Sequence, residues 1–300
     1  MSLSGSMSGA VCAVVVAYCP DDMFETRLHS ILPQVDQLLV VDNSPPALGL
    51  LAGMLASSPQ RWDCIRNAAN KGIALALNQG LQYAQSQGCQ WMLSLDQDSE
   101  CLDDMVDTLL AAQAAAGVTT AIVGSNYFDP VNQRCKVAAN GPSTWLEQKT
   151  VITSGCLVNV EVALRIGGFR ADYFIDQVDH EFCLRARAHC HRVVISRKPT
   201  MRHSVGLSGG PRLPMLGVLP NHPPVRKYYI ARNTLVTVAQ YWRSEPVWCL
   251  KRLLKLLLGG LEMVTLESQR RHKAAAFVQG IADALRGRMG PWRPARQRLP

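Results

Sequence analysis

Three short apolar runs constrain the fold most: Val11-Cys-Ala-Val-Val-Val-Ala17, Gln37-Leu-Leu-Val-Val41 and Gln90-Trp-Met-Leu-Ser-Leu95. Each is too short for a core helix, and each is apolar at consecutive rather than alternate positions. A strand of that kind must be covered on both faces, which is the condition of a parallel sheet lying between helices. Each run stops abruptly at polar residues: Tyr18-Cys-Pro-Asp-Asp22, Asp42-Asn-Ser-Pro-Pro46 and Asp96-Gln-Asp98. Ligands of such sheets bind beyond the carboxyl ends of the strands. Function is therefore expected at these stops.

The rest of the chain alternates in the same way. Asp21 or Asp22 is expected to cap a helix reaching Leu32, and Gly72 to Gln87 has helical spacing. Further strands are expected at Cys64–Asn67, Ala121–Gly124, Ser154–Asn159 and Arg192–Ser196, and helices at Leu102–Ala116, Asp179–Ala188 and from Val225 onward. Asn126 to Lys149 reads as a hairpin. The predicted fold class is α/β, a mainly parallel sheet with flanking helices and a helical C-terminal extension.

Charge divides the chain. Residues 1–241 carry 19 basic and 19 acidic side chains, whereas residues 242–300 carry 12 and 4, so the whole net charge of +8 sits in the last fifth. The expected organisation is a catalytic domain over 1–241 and a basic helical extension over 242–300. The ten cysteines show no C-x-x-C spacing and no secretory signal precedes the first strand, which points to reduced thiols in the cytoplasm. No run of eighteen apolar residues offers a membrane span.

Asp96 and Asp98, two carboxylates at i and i+2 past an apolar strand, make poor core residues. Hard oxygen ligands at this spacing suit Mg2+ or Mn2+, with nucleotide phosphates completing the shell. The alternative is that Asp98 or Ser99 caps the next helix. Asp42 ends the second strand, where it would meet a ribose hydroxyl or a base edge, or else form an Asx turn before Pro45-Pro46. Asn70, Lys71 and Gly72 open a helix whose first amides would face an anion.

The runs VVVAYCP, VVDNS, NKGIALALNQG and LSLDQDS, followed by SGCLVN, GGFRADYFIDQVDHEFCLRA, RHSVG and YYIARN, resemble the family 2 glycosyltransferases, and most closely their bacterial rhamnosyltransferase branch. The resemblance covers roughly Val11 to Asn233 in the family's order. It departs at Cys19, where relatives of this branch carry Asn. It implies a GT-A (Rossmann-like) fold with Asp96 and Asp98 as the D-x-D motif, and Ala17, Tyr18 and Asp42 beside the donor nucleotide. It also implies an inverting transfer of L-rhamnose from dTDP-L-rhamnose to a hydroxyl of a cell-envelope glycan or glycolipid. A UDP-hexose donor, or a non-catalytic membrane-surface scaffold, stands as the alternative.

Such a transfer needs a base for the acceptor hydroxyl. Phe174-Ile-Asp-Gln-Val-Asp-His-Glu181 offers three carboxylates. Aligned on Cys-Leu-Arg185, Asp179 falls where the family carries the base. Asp176 is the second choice, or positions the acceptor, and Glu181 is expected to pair with Arg185. In this fold a histidine near His203 completes the metal shell or contacts the diphosphate; a satisfied loop histidine is the other reading. Arg232 is expected to clamp the diphosphate, since a guanidinium fork matches phosphate oxygens. Gly206 to Pro224 reads as a lid.

In the extension, Val247, Leu250, Leu253, Leu254, Leu257, Leu258 and Leu261 form a helical stripe, flanked by Lys251, Arg252 and Lys255. The stripe is expected to pack on the catalytic domain or on a second subunit, and the cations to attract a membrane surface. Nucleic acid is not expected, because no aromatic residues interleave with the charges. The expected partners are a nucleotide sugar, a glycan or lipid-linked acceptor, a peripheral membrane contact and a homo-oligomer.

Overall fold

The computed structural model describes residues 9–46, 62–130, 133–203 and 221–294, with the backbone of 212–213 and 217–218 in addition. Most of the Gly206 to Pro224 stretch, expected as a lid, lies outside the described residues. In chain order the strands are β1 (Val11–Ala17), β2 (Gln37–Asp42), β3 (Asp63–Arg66), β4 (Trp91–Asp96), β5 (Glu100–Cys101), β6 (Thr120–Asp129), β7 (Arg134–Cys135), β8 (Trp145–Glu147), β9 (Cys156–Asn159) and β10 (Arg192–Arg202), with a small pair β11 (Arg212–Leu213) and β12 (Gly217–Val218). The helices are α1 (Phe24–Ile31), α2 (Ile73–Ser86), α3 (Met105–Ala116), α4 (Val160–Arg165), α5 (Val178–Ala188), α6 (Pro224–Tyr241), α7 (Pro246–Thr265) and α8 (Arg270–Leu285).

By compactness the chain divides into two units, Met1–Phe169 with Phe182–Ser204, and Arg170–Glu181 with Val205–Pro300. The division differs from the expected break at 241/242. Charge marks where the basic residues begin, but α6 packs with α7 and α8 into one helical unit, and packing sets the boundary.

The first unit holds the main sheet, in the order β3-β2-β1-β4-β9-β6-β10-β5. β3, β2, β1 and β4 are parallel, as their doubly apolar runs required. β9 is inserted antiparallel between β4 and β6, so the sheet is mixed rather than parallel throughout. Two antiparallel steps restore the direction, and β6 and β10 again run with β4. All these strands except β9 and the short β5, β7 and β8 therefore end at one edge. Register makes this concrete: Ala17 pairs with Asp42, and Val16 with Asp96.

Helices cover the sheet through small residues and matched apolar faces. Phe24, Leu28 and Ile31 of α1 lie on one helical face and enter the core with Val15, Leu38 and Met105. Asp21 does not cap α1 at its first residue; it accepts the Met23 amide at 3.1 Å and pairs with Arg27. Gly80 lets α2 settle on β1, because a Cβ there would lie 2.5 Å from Val14 Cγ1.

In the second unit, α6 buries Tyr228, Tyr229, Arg232, Asn233 and Thr237. α7 buries Trp248, Cys249, Leu256 and Met263. Lys227 and Lys273 both pair with the buried Glu267. Most of the leucine stripe is not packed against the described residues. Val247, Leu250, Leu254, Leu257, Leu258 and Leu261 are exposed, because Trp248 and its neighbours supply the face that docks. Among the described residues no helix is long and apolar enough to cross a membrane.

Candidate active site

At the carboxyl edge of the sheet, Asp96 closes β4, Asp98 stands two residues on, and His203 follows β10. One ligand atom from each lies within 4.8 Å of the others. His203 Nδ1 is 3.6 Å from Asp98 Oδ1, and Nε2 is 4.0 Å from Asp96 Oδ2. The acids are open, 36% and 55% exposed, while the imidazole is 7% exposed. Its Nδ1 is buried without a hydrogen-bond partner among the described residues. The ring is held by its own amide, which donates to Phe128 O at 3.1 Å, and by the edge of Tyr127.

A buried polar atom with no partner costs about 1–3 kcal/mol; here Nδ1 faces Asp98 and Nε2 faces Asp96. Two hard oxygens and an imidazole nitrogen form a donor set suited to Mg2+ or Mn2+. The residues present therefore fit a divalent cation. Asp98 is not a helix cap: α3 begins seven residues later, at Met105.

The loop that carries the acids is tied down from three sides. Gln97 Oε1 accepts the Tyr18 amide at 2.7 Å, and Arg27 donates to Gln97 O at 3.2 Å. Ser154, just before β9, sits 2.5 Å from Ser99 Oγ and accepts the Asp96 amide at 3.3 Å. Gln97, Arg27 and Ser154 were not singled out from the sequence. Their partners lie far along the chain, and no local spacing reveals them.

Ala17 is buried at the end of β1, while Tyr18 is 49% exposed. Asp42 is buried. Its Oδ1 accepts the Ser44 amide at 2.8 Å, closing an Asx turn, and its Oδ2 lies 3.5 Å from Arg66 Nε. The neighbouring Asn43 accepts the Lys71 amide and donates to Gly72 O, drawing the 70–72 turn to the same edge. Asn70 Oδ1 accepts the Gly72 amide at 2.9 Å. Gly72 itself has φ 83°, a left-handed conformation that favours glycine, and among the described residues no side chain caps the start of α2.

The second unit holds the candidate base segment. Phe174, Asp176 and Gln177 all have positive φ, an uncommon cluster for residues with a Cβ. Asn233 fixes it by donating to the carbonyls of Tyr173, Ile175 and Asp176 at 2.8–3.0 Å. Arg226 grips Asp176 through both oxygens, at 2.6 and 3.3 Å. Burial pushes the Asp176 carboxyl up, and the Arg226 charge opposes it. Asp179, in the first turn of α5, accepts the His180 amide at 2.7 Å. His180 meets Arg252 of α7 at 2.5 Å, and Trp248 lies under the Arg252 guanidinium at 5.1 Å. Burial holds Arg252 below its ordinary value, and the Asp179 charge opposes it. Glu181 is fully buried and accepts the Tyr241 hydroxyl at 3.1 Å.

The diphosphate clamp expected of Arg232 is corrected here. Its side chain is fully buried, and its guanidinium donates to Asp172 O, Tyr173 O, Gly290 O, Tyr228 Oη and Asn233 Oδ1. The fork is used up inside the unit, and carbonyls rather than phosphate oxygens receive it.

An open α/β sheet with acids at its carboxyl edge and an amide-lined turn beside them defines a nucleotide-sugar transferase of the GT-A fold. Residues 12–170 match the family described as Glycosyl transferase family 2, and the chain belongs to that family. It is 28% identical over 300 residues to the dTDP-rhamnosyl transferase RfbF of Shigella flexneri, covering 95% of this chain and 97% of that one. Among solved structures it is similar to GalNAc-T7 with UDP, GalNAc and Mn2+, with TM-score 0.60 and 12% identity over 94% of this chain. The chain spans 57% of that protein. It is also similar to residues 1–349 of S. aureus TarS in complex with UDP-GlcNAc, with TM-score 0.51 and 14% identity, over 90% of this chain and 72% of that one. The structural likenesses bear on the fold alone.

Proposed function

We propose that this glycosyltransferase moves L-rhamnose from dTDP-L-rhamnose to a hydroxyl of a cell-envelope glycan or lipid-linked acceptor, with inversion. The observation that carries the donor is the 28% identity to a dTDP-rhamnosyl transferase along nearly the full length of both chains. The acceptor oxygen attacks the anomeric carbon, the bond from that carbon to the diphosphate breaks, and Asp179 takes the hydroxyl proton. Asp176, held by Arg226, orients the segment that presents Asp179. Ala17, Tyr18, Asp42 and the Asn70-Lys71-Gly72 turn border the nucleotide. Asp96, Asp98 and His203 would hold Mg2+ or Mn2+, whose charge offsets that of the leaving diphosphate.

The reaction is assigned to the cytoplasmic side, in keeping with ten free cysteines. The basic surplus of residues 242–300 supports peripheral contact with an anionic membrane surface. Binding to anionic but not neutral vesicles checks this contact, and indifference to lipid charge removes it.

The donor is tested by thermal shift with dTDP and with UDP, each with Mn2+, followed by product mass with the matching sugar nucleotides. Stabilisation by dTDP and a product heavier by one deoxyhexose is the expected result. Stabilisation by UDP alone, with transfer of a hexose, replaces the rhamnosyl reading with a UDP-hexose enzyme.

A further inference from the structure

Seven large apolar side chains of α7 (Val247, Leu250, Leu254, Leu257, Leu258, Leu261 and Val264) stand 45–71% exposed. Apart from Leu258, which lies beside the line, they follow each other at intervals of 3, 4, 3, 4 and 3 residues. That is the heptad seam by which one helix packs along another. The opposite face of α7 is already buried through Trp248, Cys249, Leu256 and Met263. A helix apolar on two faces belongs inside protein, whereas a helix lying in a bilayer interface keeps a polar face toward water. The exposed cations of α7, Lys251 and Lys255, border the seam on one side only, and Arg252 is turned inward onto His180.

The area also suits a protein partner. Seven half-exposed aliphatic side chains offer on the order of 500–700 Å² per copy, at or above the largest patch usual on a monomer. Two copies would together bury about 1,000–1,400 Å², the size at which specific interfaces become stable. The seam reads the same in both chain directions, so it complements itself about a twofold axis.

We propose that α7 pairs antiparallel with α7 of a second copy, about a twofold axis between Lys255 and Leu256. Val247 then meets the second copy's Val264, Leu250 meets Leu261, and Leu254 meets Leu257. Leu253 and Leu258 each face their own counterpart beside the axis. The antiparallel sense sets each helix N-terminus by the other's C-terminus, the favourable arrangement of their dipoles.

The full chain is weighed by light scattering after size exclusion, alone and after mixing variants. The wild type is expected at twice the 32.9 kDa of one chain. Leu250→Glu and Leu261→Lys, both at exposed positions, are each expected at the mass of one chain with unchanged circular dichroism. Mixed together they should return to the mass of two, because the antiparallel register brings the new acid to the new base. A monomeric wild type overturns the proposal. So does a mixture that stays monomeric. A monomeric wild type that floats with vesicles, and loses flotation in Leu254→Lys/Leu257→Lys, assigns the seam to lipid and overturns it as well. The result does not depend on the donor, so rejection of the rhamnosyl reading leaves it standing.

Discussion

The acids at the sheet edge and the acids of the 172–179 segment are held in opposite ways. Asp96 and Asp98 are open to solvent, and the imidazole between them keeps a buried nitrogen that has no hydrogen-bond partner among the described residues. Asp176 is gripped by Arg226, and the backbone around it is pinned by Arg232 and Asn233 from a neighbouring helix. At the sheet edge an imidazole nitrogen stays unpaired among the described residues. Groups that must hold a strained backbone in place are completed by the protein. A buried polar atom has to find its partner somewhere, so what a site lacks indicates what it receives.

The widest separation between the two regions should appear in activity. Asp98→Asn and Asp179→Asn are each expected to lower kcat/KM by roughly 10²–10⁴-fold. Only Asp98→Asn should also abolish the Mn2+-dependent thermal shift with nucleotide. If Asp179→Asn keeps full transfer, the base lies elsewhere; if it removes the shift, the two regions are not functionally distinct.

Next in size is a stability effect. Arg232→Met leaves several buried carbonyls without a donor, and hydrogen bonds to a charged group are worth about 1.5–3 kcal/mol each. Unfolding in denaturant should show a loss of roughly 3 kcal/mol or more, with nucleotide affinity of the folded protein unchanged. An affinity loss without a stability loss would restore the diphosphate clamp.

The smallest effect concerns pH and belongs to the second unit alone. Burial, with Arg226, Lys227 and Lys273 nearby and Glu267 partly opposing, lowers His222 from an ordinary 6.5 to about 4. The unfolded chain then takes up the proton first. This group's contribution to stability is full above about 6.5 and is lost as pH falls through about 4. Melting temperatures measured between pH 7 and 4 should fall less steeply for His222→Gln than for the wild type. Parallel curves would show that His222 is not held neutral.

Much of the donor edge was legible because it obeys local rules. β1, β2 and β4 are continuous apolar runs with polar stops, and each ends within a residue of the expected position. β6 and β10 were expected to end at Gly124 and Ser196 but continue to Asp129 and Arg202. Their extensions bury polar residues that satisfy one another: Ser125 with Thr200, and Asn126 with the carbonyls of Arg197 and Val137. Hydrophobic patterning is blind to such strands. The antiparallel insertion of β9 was equally hidden, since a short apolar run gives no direction.

The chain's own order of residues determined that a sheet would end in acids at Asp42 and Asp96–Asp98, because alternation and composition are local properties that survive any arrangement in space. Only the folded structure decided which groups those residues meet. It spent the Arg232 fork on backbone carbonyls, closed Asp42 into a turn, left His203 Nδ1 without a partner among the described residues, and turned Leu250, Leu254, Leu257, Leu258 and Leu261 of α7 outward. Each of these depends on which distant groups arrive at one point. Hydrogen-bond satisfaction and burial are set by that meeting rather than by neighbours along the chain.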